Sequence, residues 1–215
     1  PRRPPTADDW PPGSRPRPAV HMRCMSTYYW SDLHLGQSDV AEERGFANPD
    51  EHDDHLIAAW SGTVKDGDDI WILGDLALAS PDRALEIIRY LPGTPHLVLG
   101  NHDLAHPMHR DAHGHQARYR DVFASVATMG RHHLGGHDVM LSHFPYRDDS
   151  RTQDRYRQYR LRDEKRWLIH GHVHDEFAVE DRQINVGVDK WMDGPVPADQ
   201  LLEIIAGNAA LVAAA

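Results

Sequence analysis

Three short apolar runs, each halted abruptly by polar residues, constrain this chain more than anything else in it. Tyr28-Tyr29-Trp30-Ser31 runs into Asp32-Leu33-His34-Leu35-Gly36, Asp69-Ile70-Trp71-Ile72-Leu73 into Gly74-Asp75, and Leu97-Val98-Leu99 into Gly100-Asn101-His102-Asp103. A buried strand ends this way when its C-terminal tip carries chemistry: the apolar residues seat the strand, and the polar ones are delivered at a fixed place. Gly100 is expected to let the backbone turn sharply. Taken singly, Gly-Asn-His-Asp reads equally well as a polar turn between a strand and a helix. Asp32 and His34 are two apart, a spacing that in extended backbone points both side chains to one side, where two ligands can reach one metal ion.

Between these runs lie helical patterns. Asp50 to Val64 has Leu56, Ile57, Ala59 and Trp60 in helical rhythm behind an acidic first turn, with His52 and His55 expected at the surface. Ser80-Pro81-Asp82 is expected to open a second helix, Ser80 capping it and Pro81 in its first turn, with Ala84, Leu85, Ile87, Ile88 and Leu91 facing inward. Strand, helix, strand, helix, strand over residues 28–103 with short connections implies a parallel sheet covered by helices.

Further along, a helix is expected from Ala117 to Ala127, and a hairpin around Gly135-Gly136 whose second strand ends at His143-Phe144-Pro145. His106, His109, His113 and His115 match no ligand spacing and read as loop residues. Trp167-Leu168-Ile169 is another buried strand leading into His170-Gly171-His172-Val173-His174, where His172 and His174 repeat the two-apart spacing and His170 reads as a supporting residue. Strands follow at Phe177 to Val179 and Ile184 to Val188, then an amphipathic helix over 198–206.

A chain of 215 residues, 40% of them hydrophobic, has enough apolar material for one substantial core, here placed at 25–206. The Pro/Arg-rich stretch 1–24 has almost nothing to bury and reads as a disordered arm, and 207–215 as a frayed tail. A net charge of −10 disfavours a stable complex with long nucleic acid. One cysteine, Cys24, excludes an intrachain disulfide framework, and no apolar run has the length of a membrane span, so a cytoplasmic location is expected. The segment 145–166 departs from the regular pattern: from Arg147 to Arg166 it sets eight basic residues against five acidic ones. It reads either as a solvated face or as a lid-like insertion, with Tyr146, Arg147 and Arg151 near an anionic substrate.

The strand-end groups are Asp32, His34, Asp75, Asn101, His102, His143, His172 and His174, with no thiolate among them. Oxygen and nitrogen ligands suit Mn2+, Fe, Zn2+ or Ni2+ in open coordination. Without His102, which is not needed as a ligand, the seven that remain are too many for one catalytic ion but right for two that share Asp75.

The order Asp-x-His, Gly-Asp, Gly-Asn-His-Asp, a lone His after a strand and Gly-His-x-His resembles the calcineurin-like metallophosphoesterases over Tyr28 to Trp191, and Ile184-Asn185-Val186-Gly187-Val188-Asp189 resembles the last core strand of their short prokaryotic phosphodiesterases. The resemblance implies an α/β fold, a four-layer α/β/β/α sandwich of two mixed sheets flanked by helices. It implies one ion held by Asp32, His34, Asp75 and His174, and a second by Asp75, Asn101, His143 and His172. Two divalent ions, two carboxylates, a bridging hydroxide and neutral imidazoles would leave a net +1 to attract phosphate, with the hydroxide as nucleophile, His102 protonating the leaving alkoxide and Asp103 either orienting His102 or capping the next helix. The implied substrate is a small phosphodiester such as a 2′,3′-cyclic nucleotide, and a homo-oligomer is compatible with the pattern. The alternatives are a nuclease on RNA or DNA, a phosphomonoesterase, or a binding module without chemistry. Asp75 is followed by Leu-Ala-Leu-Ala and the third motif ends at Asp103, unlike the Asp-Arg-Gly and Glu of the related protein phosphatases, which disfavours that branch.

Overall fold

The computed structural model describes residues 25–78, 80–147 and 155–213. The arm at 1–24 and Arg151 lie outside the described residues. In chain order the elements are β1 (Thr27–Trp30), α1 (Ser38–Glu43), α2 (Pro49–Thr63), β2 (Asp69–Ile72), α3 (Asp82–Arg89), β3 (Thr94–Val98), α4 (Ala112–Arg120), β4 (Ser125–Ala127), β5 (Gly130–Leu134) and β6 (His137–Leu141). A single 3-10 turn (Arg157–Tyr159) precedes β7 (Trp167–His170), β8 (Val179–Glu180), β9 (Gln183–Asn185), β10 (Val196–Pro197) and α5 (Ala198–Ala213).

They form two mixed five-stranded sheets with flanking helices, ordered β10-β1-β2-β3-β4 and β5-β6-β7-β9-β8. In the first sheet β1 to β4 are parallel neighbours and β10 is antiparallel to β1, Tyr28 lying opposite Pro197. In the second, β6, β7 and β9 are parallel, with β5 and β8 antiparallel at the edges.

Period-two alternation sorts the first sheet's side chains into two cores. Tyr28, Trp30, Ile70, Ile72 and Leu97 face one way and meet Leu56 and Trp60 of α2 and Ala84, Leu85 and Ile88 of α3. Tyr29 and Val98 face the other way and meet Val139, Leu141, Ile169 and Ile184 of the second sheet, joined by Leu201 and Ile205 of α5. Helix α2 begins where its sequence dictates: the Asn48 carboxamide accepts the Glu51 N–H at 2.9 Å, the Glu51 carboxylate accepts the Ala47 N–H at 2.9 Å, and Pro49 fills the first turn.

Several expectations need correction. The helix expected over 117–127 is α4, which starts earlier and stops at Arg120, and Ser125–Ala127 instead add strand β4 to the edge of the first sheet. Three residues are too few for their period to show in a sequence. Helix α3 starts at Asp82 with Pro81 as its cap, so Ser80 lies one residue outside the cap position. The strand expected at Phe177 to Val179 shortens to Val179–Glu180, and α5 continues to Ala213, well past residue 206. His52 is fully buried, where a surface residue is expected. Among the described residues, no helix is long and apolar enough to cross a membrane.

Candidate metal centre

All the polar strand ends lie at one end of the sandwich, where the two sheets converge. Past the ends of the first sheet's strands the parallel ladder continues through loops: the Asp32 N–H donates to the Gly74 carbonyl at 3.0 Å and the His34 N–H to the Asp75 carbonyl at 3.0 Å. Ser31 and Gly187 form an isolated parallel bridge that joins the first sheet to the second. The Asp32 carboxylate accepts the His172 N–H at 3.0 Å across that junction.

Eight non-glycine residues among those described have φ in the left-handed region, and five of them are expected ligands: Asp32 (59°), His34 (48°), Asp75 (57°), His172 (73°) and His174 (48°). The two-apart pairs are therefore set by left-handed turns, not by the extended backbone that the spacing suggests, and His172 and His174 end in different ligand groups. Such conformations are disfavoured for side-chain-bearing residues and persist where the surroundings over-determine them. Gly100 also corrects its expected role, since its φ is not among the left-handed values. A Cβ there would stand 2.7 Å from the Asp75 backbone nitrogen and against its carboxylate, so the glycine admits Asp75.

Two groups of ligand atoms result. Asp32, His34 and His174 present atoms within 4.8 Å of one another, and so do Asp75, His143 and His172. The His34 and His174 rings stack at 5.2 Å, and the His143 and His172 rings meet edge-on at 5.1 Å. Asn101 Oδ1 is 3.1 Å from His143 Nε2, which is 3.3 Å from Asp75 Oδ2. His102 lies at the rim, its side chain 35% exposed, with Nε2 3.8 Å from Asp75 Oδ2 and its ring 5.6 Å from that of His34. Its backbone N–H is fixed by Asp75 Oδ1 at 2.9 Å.

These residues fit divalent ions. His34 Nδ1 is 2.5 Å from Gln37 Oε1, His143 Nδ1 is 2.7 Å from the Leu73 carbonyl, and His174 Nδ1 is 3.1 Å from Asp189 Oδ2. Each acceptor holds a proton on Nδ1, so that Nε2 is the nitrogen left for a metal. His34 Nε2 is buried and has no hydrogen-bond partner among the described residues. Burial lowers the His34 imidazole to about 4, against the pull of Asp75 and Asp32, so it stays neutral as a ligand must. Burial would raise Asp75, but the pairing with His143 outweighs it and holds the carboxyl well below its ordinary range, and, against burial, the same pairing pushes His143 up to about 9.

Asp103 does not orient His102. Its carboxylate accepts the N–H groups of Gly100 at 2.7 Å, Asp75 at 3.1 Å and Leu76 at 3.2 Å, and so clips the loop after β3 to the loop after β2. Burial and the Asp75 charge push it up to about 7, against the opposing pull of those N–H groups. Tyr146 and Arg147 also lie elsewhere: the Tyr146 hydroxyl donates to the Arg166 carbonyl at 3.3 Å, and Arg147 pairs with Asp181 in the turn between β8 and β9. The aromatic residues that do adjoin the centre are Phe144 and Tyr156, whose rings lie 5.1 and 5.3 Å from that of His172, with Tyr159 against His106 at 4.9 Å. Sequence reasoning missed further supporting residues. His109 Nε2 bonds the Asn101 carbonyl at 2.9 Å, and Arg44 and Asp189 form a buried ion pair at 2.7 Å. Asp189 stands in a motif that the sequence did display; Arg44 follows two glutamates and carries no such signal.

Comparison with known proteins agrees with this geometry. The calcineurin-like phosphoesterase superfamily domain matches residues 25–194. The chain is 41% identical over 192 residues to the Gene 66 protein of Mycobacterium phage D29, covering 84% of this chain and 96% of that one. It is 28% identical over 195 residues to an uncharacterized protein of Methanocaldococcus jannaschii, covering 86% and 93%. The crystal structure of a protein of unknown function from Aquifex aeolicus shares the fold, with a TM-score of 0.64 at 22% identity over 85% of this chain and all of that one. On the strength of the domain match and of the ligand order that the fold brings together, the chain belongs to the calcineurin-like phosphoesterase superfamily.

Proposed function

We propose that this protein is a metal-dependent phosphodiesterase acting on small nucleotide diesters, 2′,3′-cyclic nucleotides among them. The observation that carries the reading is the juxtaposition of two three-residue ligand groups with His102 at their rim. Asp32, His34 and His174 would hold one ion, and Asn101, His143 and His172 a second, with Asp75 shared between them; Mn2+ is the ion proposed. Bound there, the ions would hold phosphate oxygens and lower the pKa of a water to near neutrality.

The chain's own residues then divide the remaining work. His102, fixed through its backbone and partly exposed, donates a proton from its imidazole to the departing alkoxide. The partly exposed Tyr156 ring beside His172, backed by the buried Phe144, offers a flat face, which suits a nucleobase better than an alkyl group. A site left with a net +1 suits the single charge of a diester better than the dianion of a monoester. The overall charge of −10 favours a small substrate over a polymer and disfavours a stable nucleic-acid complex.

The test is a panel with Mn2+ containing 2′,3′-cyclic nucleotides, linear diesters, monoesters, and single-stranded RNA and DNA. Diester turnover is expected to exceed monoester turnover and to vanish with a chelator. A monoester preference, or cleavage of polymer alone, overturns the substrate assignment.

A further inference from the structure

We propose that Arg44 and Asp189 form a positioning pair that sets the ion affinity of the Asp32, His34 and His174 group alone; the inference rests on the two-ion reading above. The Arg44 side chain, only 2% exposed, comes from the residue that ends α1. Its Nε donates to Asp189 Oδ1 at 2.9 Å and its Nη2 to Asp189 Oδ2 at 2.7 Å, a two-point fork. Nη2 also donates to the Asp32 carbonyl at 2.8 Å, and Nη1 to the Leu33 carbonyl at 3.3 Å and to His52 Nε2 at 3.0 Å. The five N–H groups of the guanidinium thus meet five acceptors. Asp189 Oδ2 in turn is 3.1 Å from His174 Nδ1.

One buried cation therefore grips both ends of this ligand group. It holds Asp32 through its main chain and His174 through Asp189, and both are in the left-handed region that needs outside support. His52 and Asp53, both buried in α2, back the guanidinium: His52 Nδ1 is 3.3 Å from Asp53 Oδ1, which also accepts the Gly36 N–H at 3.0 Å. Asp75 and His143, by contrast, are held by Asp103 and by the Leu73 carbonyl. A lysine, with three donors on a point charge, cannot reproduce the fork.

The experiment is calorimetric titration of the chelator-treated protein with Mn2+, with metal analysis after desalting, for the unaltered protein, Arg44→Lys, Arg44→Met and Asp189→Asn. The unaltered protein is expected to take two ions. Each variant is expected to retain one of them with unchanged affinity and to bind the other about 10–100-fold more weakly, Arg44→Lys included. Equal weakening of both ions, or two unchanged affinities, overturns the pair's role while leaving the two-ion reading intact. An unaltered protein that binds no ion removes both. Asp189→Asn preserves volume and keeps the test decisive if Arg44→Met fails to fold.

Discussion

The two ligand groups lie side by side yet are built differently. Asp75 and His143 are almost wholly buried and are fixed by backbone partners or by Asp103, which itself clips backbone to backbone. In the other group His174 is about one-third exposed, and both its histidines take their orientation from side chains, Gln37 for His34 and Asp189 for His174. A group held by backbone is as rigid as the sheet that carries it. One held by side chains can change its affinity through single substitutions that leave the sheet untouched.

The sharpest way to break this contrast is at Asp75, which belongs to the second group but whose charge is also felt at His34 in the first. Asp75→Asn is expected to abolish diester turnover and to lower affinity for both ions, at least about tenfold, whereas His174→Asn weakens one ion only. Full activity in Asp75→Asn would remove the shared role. Next in size is His102, which lies outside both groups: His102→Ala is expected to keep two ions and to lose about 10²–10⁴-fold in kcat on diesters with alkoxide leaving groups. Its loss on nitrophenyl diesters should be much smaller, because a nitrophenolate leaves without a proton. Equal losses on the two substrate types would take His102 out of the acid role.

Two glycines sharpen the contrast further. Gly100→Ala drives a methyl against the Asp75 carboxylate and backbone nitrogen, while Gly171→Ala drives one against the buried Ser31 hydroxyl, itself bonded to the Leu73 carbonyl, and the Asp32 carboxylate. Overpacking of this kind costs about 1–3 kcal/mol, and urea unfolding should show a loss of this size in both variants. A much smaller loss in Gly171→Ala would mean that the first group yields where the second does not. The smallest effect is expected far from both groups, at His132, whose ring lies 2.7 Å from the Tyr29 hydroxyl and 4.5 Å from Trp71. Burial lowers its pKa below the ordinary 6.5. Between those two values the unfolded chain binds more protons than the folded one, so the folding stability His132 confers is present at neutral pH and is lost as pH falls below about 6.5. Thermal melts of the chelator-treated protein from pH 8 to 5 should show a shallower decline in His132→Gln. Parallel curves would leave His132 without a part in acid sensitivity.

The ligands were legible because each interrupts an apolar run, and a sheet delivers such interruptions to one end. Their backbone geometry was not: nothing in Asp-Leu-His or His-Val-His distinguishes a left-handed turn from an extended pair. Arg44 in Glu42-Glu43-Arg44 and His52 in Glu51-His52-Asp53-Asp54 look like solvated polar stretches, because their burial depends on partners more than 100 residues away or on the next helix. Asp103 could be seen but not interpreted, since its acceptors' partners are main-chain N–H groups that no side chain announces. The cationic stretch after His143 does not show which way its side chains turn: Arg147 meets Asp181, and the Tyr146 hydroxyl meets the Arg166 carbonyl.

The bridge between Ser31 and Gly187 bears on how the molecule is made. It joins segments 156 positions apart, and β10 closes on β1 over a similar span. The first ligand group therefore has Asp32 and His34 near the start of the domain and His174 and the Arg44 partner Asp189 near its end. Emerging from a ribosome, the chain exposes Tyr28, Tyr29 and Trp30 long before their final neighbours exist. Loop closure over such distances makes assembly slow and leaves an aromatic strand edge uncovered in the meantime. Ion uptake by this group is thus among the last events of folding, so nascent chains that end before Asp189 should be unable to carry it.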